Sequence, residues 1–139
     1  MIQENVVAQS VVDAAFKIHV ALGPGLLESV YERVLAYELI QRGHRVATQV
    51  PISIRYNGMD LPDAFRADMV IDELLIIELK SVEQLQPVHK KQLTTYIKLA
   101  NKRLGLLINF GAPLIKNGIV RIVNKLPEEH SNSLPPFAS

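Results

Sequence analysis

The stretch that decides the fold is residues 74–80, which read Leu-Leu-Ile-Ile-Glu-Leu-Lys. Four consecutive aliphatic residues are typical of a strand that is covered on both faces. Glu78 and Lys80 are two residues apart, so their side chains lie on the same side of that strand. A carboxylate is costly to bury there unless another group pairs with it or coordinates it. The pattern therefore predicts a core strand that ends in a polar functional site.

A second carboxylate, Asp68, lies ten residues before Glu78, in the strand-like run 66–71. If both carboxylates serve one site, the two strands must pair so that these side chains share a face. A two-residue loop between the strands would place them on opposite faces. We therefore predict an odd-length connection or a bulge, which pairs Asp68 with Glu78 and Arg66 with Lys80.

Asp68, Glu78 and Lys80 together form a candidate catalytic site. Two converging carboxylates make an oxygen-rich site for a hard cation such as Mg²⁺ or Mn²⁺. Such a cation polarises a phosphodiester and lowers the pKa of a bound water, and a neighbouring lysine orients that water or stabilises negative charge. The alternative is a partly exposed Glu–Lys pair that serves only the sheet.

The composition of the chain limits the classes of function. The 139 residues suffice for one domain, and 48% hydrophobic and 21% charged residues are ordinary for a globular protein. A net charge of +1 argues against a strongly basic nucleic-acid coat but allows a local basic patch. The absence of cysteine excludes disulfides, zinc thiolates and thiol catalysis. No signal-peptide pattern or membrane-span pattern is present, so we expect a cytoplasmic protein without membrane contact.

Hydrophobic periodicity and turn signals predict the order α-α-β-β-β-α-β-β. A single domain is expected over residues 1–126, followed by a loose polar tail over 127–139. Helices are predicted for residues 4–21, about 26–41 and 87–102, and strands for 46–56, about 64–71, 74–80, 104–110 and 119–124.

Glu28 shares one face of the second predicted helix with Tyr31, Leu35 and Leu39. A carboxylate among core-facing residues needs a partner, so we expect Glu28 to lie close to Lys80 or to a bound cation. The alternative is that an acid in the first turn simply stabilises the helix dipole.

The third predicted helix carries a polar pair, Gln92 and Tyr96, on the same arc as its apolar residues. This placement favours a polar network near the site, and a buried amide bonded to the main chain is the alternative. The opposite arc is rich in lysine, which is also typical of an ordinary solvated face. Lys90 and Lys91, together with Tyr31 of the second helix, are the candidate contacts to nucleic acid.

Five blocks of the chain resemble one protein family over about residues 5–124. The blocks are G-L-L-E-S-V-Y at 25–31, R-A-D at 66–68, I-E-L-K at 77–80, Q-L-x-x-Y at 92–96 and G-L-L-I-N-F-G at 105–111. The first resembles the motif that names the GxxExxY family, which is placed in the PD-(D/E)xK nuclease-like superfamily, in a branch resembling RecB-type and lambda-type exonucleases. The resemblance implies an α/β fold with a mixed sheet and a restriction-endonuclease-like αβββαβ core, with an extra helix before it and an extra strand after it.

The resemblance also implies the metal site. Asp68 and Glu78 look like the metal ligands, with the main-chain carbonyl of Leu79 as a third. Lys80 looks like the catalytic lysine. Ala67 stands where the superfamily name has proline, and that proline is often missing.

The resemblance further implies supporting catalytic residues. Glu28 resembles the first-helix acid of the exonuclease branch. Gln92 and Tyr96 resemble a Q-x-x-x-Y element, which helps to hold Lys80 or a substrate phosphate.

The combined prediction is a nuclease that hydrolyses phosphodiester bonds in DNA with Mg²⁺ or Mn²⁺ as cofactor. The presence of all the charged site residues favours this enzyme. The alternative is a non-catalytic nucleic-acid-binding or protein-interaction module on the same fold, which the modest net charge favours. Hydrolysis of a small phosphoester lacks support from any phosphate-binding loop. The oligomeric state stays open, and a homodimer is one candidate because small domains of this fold often pair.

Overall fold

The computed structural model describes residues 1–128. The predicted order of elements is confirmed, and most of the predicted tail lies outside the described residues. None of the helices within residues 1–128 has the length and apolar character needed to cross a lipid bilayer. The elements are α1 (Gln3–Leu22), α2 (Glu28–Gln41), β1 (Val46–Tyr56), β2 (Met59–Ile71), β3 (Leu75–Lys80), α3 (Pro87–Leu99), β4 (Leu104–Asn109), a short 3-10 helix (Ile115–Gly118) and β5 (Ile119–Val123).

The five strands form one mixed sheet in the order β1-β2-β3-β4-β5. β1, β2 and β3 pair antiparallel, β3 and β4 run parallel, and β5 pairs antiparallel with β4. A parallel pair needs a crossover connection, which α3 supplies. Both faces of the parallel pair are covered, and every residue of β4 is buried. This architecture confirms the predicted mixed α/β fold with its restriction-endonuclease-like core.

Helices cover both faces of the sheet. α1 and α2 pack on one face in the larger hydrophobic cluster. On the other face, Leu93 and Ile97 of α3 pack against Ile76 of β3. Since alternate residues of a strand share a face, Glu78 and Lys80 also lie on the α3 side. The sheet thus places the functional end of β3 beside α3.

Residues 72–74 form a three-residue connection between β2 and β3, so the predicted odd-length connection is confirmed. The register of the ladder places Asp68 opposite Glu78, but the main-chain pairing ends one residue before them. The predicted pairing of Arg66 with Lys80 is wrong, because the two strands separate at the carboxylates.

The strands separate at a kink in β1 and β2, at Gln49 and Asp68. On the two sides of this kink, side chains that would share a face in a regular strand lie on opposite faces of the sheet. Met69 packs with α1 and α2, whereas Ala67, two residues earlier, packs with α3. Residues two apart in a regular strand would share a face. Gln49 has a φ of 51°, and the Gln49–Asp68 pair is missing from the β1–β2 ladder. This kink directs the outer half of the hairpin toward the α3 side.

β2 begins at Met59, earlier than the predicted start near residue 64. The register between β1 and β2 shifts after Ile52, and Asp63 has a φ of 52°. Pro62 lies in this irregular part, where a residue without an N–H group is tolerated. The bulge interrupts the alternation of side chains, which is why the strand pattern in the sequence begins only after it.

Tyr31 holds the loop between α1 and α2. Its ring is fully buried and stacks on Phe110 with a centroid distance of 4.4 Å. Its hydroxyl donates to the carbonyl of Gly23 and accepts from the N–H of Leu26. The predicted contact of Tyr31 with nucleic acid is therefore wrong, because the ring belongs to the core and its polar end is already bonded.

A polar bridge joins α1, the start of β1 and the β2–β3 turn. Nδ1 of His44 lies 2.6 Å from Oδ2 of Asp72, and its Nε2 lies 2.8 Å from Oγ of Ser10. The order resembles a hydrolytic triad, but Ser10 lies inside α1, where main-chain N–H groups are bonded within the helix. Free N–H donors for an oxyanion are thus missing around Ser10, and the bridge is structural.

Replacement of Tyr31 by Phe should lower the free energy of unfolding by about 1–2 kcal/mol, because it removes one hydroxyl with two partners and keeps the stacked ring. Urea denaturation would measure the change. Tyr37→Phe is the matched control, since Tyr37 is 67% exposed and its change should stay within about 0.5 kcal/mol. Equal midpoints for both variants would rule out a stabilising role for the hydroxyl.

Candidate metal-dependent active site

Asp68 and Glu78 meet where β2 and β3 separate. Oε2 of Glu78 accepts a hydrogen bond from the main-chain N–H of Asp68 at 2.7 Å, and Oδ2 of Asp68 accepts one from the N–H of Leu79 at 2.8 Å. Each carboxyl group thus bonds the neighbouring strand at the point where the ladder stops. The exchange satisfies main-chain donors and brings the two carboxyl groups into direct proximity.

The surroundings of Glu78 disfavour its charged form. Removal from water, followed by the negative charge of Asp68, raises the pKa of Glu78 to about 8, against smaller opposing effects of the hydrogen bond from the main-chain N–H of Asp68 and of the charge of Lys80. Two carboxylates in one place cannot both ionise easily at neutral pH. Glu78 therefore keeps its proton at neutral pH when no cation is bound.

These two groups fit a hard divalent cation. Each carboxyl group gives one oxygen to a main-chain N–H, which leaves its second oxygen for a cation. A cation would also relieve the repulsion that raises the pKa of Glu78. Within residues 1–128, no three His, Cys, Asp or Glu side chains converge on one point. The coordination would therefore have to be completed by main-chain oxygen, water and substrate, as is usual for Mg²⁺.

Lys80 ends β3 with a half-buried side chain. Its charge is close enough to favour ionisation of Glu78. Its carbonyl accepts a hydrogen bond from the N–H of Phe110 at 2.9 Å, which fixes the end of β3 against β4. The structure thus brings Lys80 and both carboxylates to the same end of the sheet.

Asn109 fixes the segment that follows Lys80, and the sequence did not predict this role. Its Oδ1 accepts from the N–H groups of Val82 and Gly111, and its Nδ2 donates to the carbonyl of Val82. A Cβ at Gly111 would lie 2.3 Å from the carbonyl oxygen of Val82, so only glycine fits there. The sequence signal that could have indicated this role is an asparagine at the end of an aliphatic run, directly before Phe-Gly.

Tyr96 lies on the α3 side of the carboxylates. Burial, followed by the charges of Glu78 and Asp68, raises the pKa of Tyr96, so its hydroxyl stays protonated. Its ring stacks on Phe65 of β2, with centroids 4.1 Å apart and an interplanar angle of 7°. Phe65 was not predicted as part of the site, because the bulge hides its register.

Gln92 is exposed on α3, so the expectation that it faces inward is wrong. The buried arc of α3 is narrower than its apolar pattern suggests, because it contains only Leu93 and Ile97. Lys90 and Lys91 are exposed, which leaves their charges accessible to a nucleic acid.

Glu28 is also exposed, so the expectation that it lies on a buried helix face is wrong. It is the first residue of α2, and the buried residues of that helix begin only at Tyr31. Glu28, Ser81 and Val82 line an open cavity of about 390 Å³. Oγ of Ser81 donates to the carbonyl of Leu26 at 2.6 Å, which ties this loop to the end of β3. Glu28 therefore lies next to the segment after Lys80.

The comparisons agree with this geometry. A family model described as the PD-(D/E)XK nuclease superfamily matches residues 5–122. No curated protein and no solved structure matches the chain significantly. Nucleases of this superfamily generally use divalent metal ions. The matched region contains the carboxylate site, α2 and α3 in full, and α1 except for its first two residues. Because the match covers most of the chain, the chain belongs to the PD-(D/E)XK nuclease superfamily.

Proposed function

We propose that this protein is a Mg²⁺- or Mn²⁺-dependent nuclease that hydrolyses phosphodiester bonds in DNA. The observation that carries the proposal is the pair of carboxyl groups that Asp68 and Glu78 bring together beside Lys80. Membership of a nuclease superfamily supports the reaction class. The block at 25–31 supports placement in the GxxExxY family within it.

Asp68, Glu78 and the carbonyl of Leu79 would hold the cation. When bound, a cation there polarises the phosphodiester and lowers the pKa of an attacking water. Lys80 then stabilises the negative charge that develops on the phosphate. Tyr96, which stays protonated, donates a hydrogen bond toward the same phosphate.

Exposed residues would contact the substrate. Lys90 and Lys91 lie on a helix that carries no acidic residue, which suits contact with phosphates. Gln92 is on the same helix and projects into solvent beside Tyr96, so we assign it to the substrate and not to an internal network. Glu28, in the cavity beside the end of β3, would orient water or the leaving group once substrate is bound.

The second candidate is a non-catalytic nucleic-acid-binding module on the same fold. The exposure of Glu28 favours it, because this carboxylate makes no bond to Lys80 among the described residues. A cleavage assay separates the two functions.

Purified protein should cleave DNA in the presence of Mg²⁺ or Mn²⁺ and lose about 100-fold of that activity on Lys80→Ala, because the lysine stabilises transition-state charge. Gel assays on single-stranded, duplex and branched DNA would measure the rates. Lys116→Ala, at an exposed lysine of the 3-10 helix, should cleave like the wild type. Equal cleavage by the Lys80→Ala protein would contradict the catalytic role of Lys80.

Binding of Mn²⁺ should strengthen as the pH rises toward about 8 and level off above it. Below that pH the cation must displace the proton that burial and Asp68 hold on Glu78, whose pKa is about 8. Titration calorimetry in buffers of different ionisation enthalpy would show proton release that declines with rising pH. Asp68→Asn should bind little Mn²⁺, and an affinity that is independent of pH would contradict this site.

Glu28→Gln should lower the cleavage rate about tenfold or more, as expected for a positioned acid or base, without changing the melting temperature. The matched control is Glu83→Gln, since Glu83 lines the same cavity and has no assigned role. If both variants cleave like the wild type, Glu28 only stabilises the start of α2.

A further inference from the structure

The space above the carboxylates is bounded by α3 and by the outer half of the β1–β2 hairpin. α3 packs over β4 and β5, so it flanks the carboxylates of β2 and β3 instead of covering them. The kink at Gln49 and Asp68 turns the outer hairpin toward the same side. Phe65 of the hairpin reaches Tyr96 of the helix. The aromatic pair therefore borders the space beside the carboxylates on the α3 side.

Phe65 is not an ordinary core residue. It belongs to neither hydrophobic cluster, and it retains a partly exposed ring. The ring lies nearly parallel to that of Tyr96, at 4.1 Å, so the two rings cover one face of each other, and both residues remain partly exposed. A further planar ring extends such a stack, and every nucleobase presents a planar face.

The location of Phe65 links this stack to cleavage. It lies three positions before Asp68 along β2, which is about 10 Å of strand. A base on Phe65 would thus belong to a nucleotide close to the phosphate at the carboxylates.

The structure favours an unpaired base. Bases within a duplex are stacked on one another, so a side chain reaches their faces only after they are unstacked. Duplex binding depends largely on the neutralisation of phosphates, whereas the net charge of the chain is only +1. Single strands gain binding energy from aromatic stacking as well as from charge.

We infer that the Phe65–Tyr96 stack is a platform for an unpaired nucleobase, and that it makes single-stranded DNA the preferred substrate of the carboxylate site. This inference rests on the proposed nuclease function for its link to catalysis, whereas the binding itself does not require cleavage. The opposing explanation is that the stack only braces the hairpin against α3.

Binding is measured without cleavage, in EDTA and at one salt concentration, by fluorescence anisotropy of labelled oligothymidine and of a duplex of equal length. The wild type should prefer the single strand. Phe65→Leu keeps an apolar side chain without the ring, and it should lose about tenfold of single-strand affinity but none of the duplex affinity. Phe65→Tyr keeps the ring and should bind like the wild type. Tyr37→Leu removes an exposed aromatic ring from α2 and should also bind like the wild type.

A single strand that contains 2-aminopurine reports stacking directly. Its fluorescence should be quenched by the wild type and by Phe65→Tyr, and much less by Phe65→Leu. Bracing alone would not move this signal. Circular dichroism confirms that each variant is folded, and if Phe65→Leu unfolds, Phe65→Met, which also removes the ring and keeps an apolar side chain, is measured in its place.

Three results would overturn the inference: equal affinity of the wild type for both DNA forms, unchanged single-strand binding by folded Phe65→Leu, or no quenching by the wild type.

These results differ from failure of the proposed nuclease. A protein that shows the stacking signals but cleaves no DNA with Mg²⁺ or Mn²⁺ keeps the platform and loses the catalytic function. A protein that cleaves both forms equally, with no effect of Phe65→Leu, keeps the nuclease and loses the platform.

Discussion

The bonds between the carboxyl groups of Asp68 and Glu78 and the main chain of the neighbouring strand are the interaction on which the rest of the site depends. Two strands that separate inside a sheet would leave unpaired N–H groups, and buried carboxylates would leave unpaired charge. Here the carboxyl groups satisfy the unpaired N–H groups, because each one accepts a hydrogen bond from the main chain of the strand opposite it. The strands can therefore part without a large loss of stability, and their parting opens the face that substrate must reach.

The support beneath the site comes from the parallel pair of strands. β3 ends at Lys80, and the segment after it is held by the amide of Asn109 and by the close approach of Gly111 to Val82. On the other face, Tyr31 and Ser81 tie the loop before α2 to the same region. The proposed catalytic residues are thus few, and the residues that hold them are distributed over most of the chain. A catalytic geometry depends on such support.

Much of this arrangement could be predicted from the sequence, because it follows from local periodicity. The aliphatic run before Glu78 predicted the central strand. The need for a shared face predicted an odd-length connection or a bulge, and the connection consists of the three residues 72–74. Tertiary contacts decided the rest. Glu28 has a core-facing period but lies at the first position of its helix, and Gln92 lies outside a buried arc that proved narrow. The positive φ at Gln49 and the contact of Phe65 with Tyr96 have no local signal, since both depend on how the hairpin bends.

That bend divides the sheet into two parts with different local stability. Inside the kink, β2 packs on both faces and shares the core with β3 and β4. Beyond it, the long β1–β2 hairpin is mostly exposed. It contacts the α3 side through Ala67, through the half-buried Val50 and Ile52, and through the stacked rings of Phe65 and Tyr96. Segments with few buried contacts open at a lower free energy than the global unfolding of the molecule. The hairpin can therefore exchange its amide protons and change its angle while the core stays closed. The width of the space beside the carboxylates can thus change without melting of the strands that hold them.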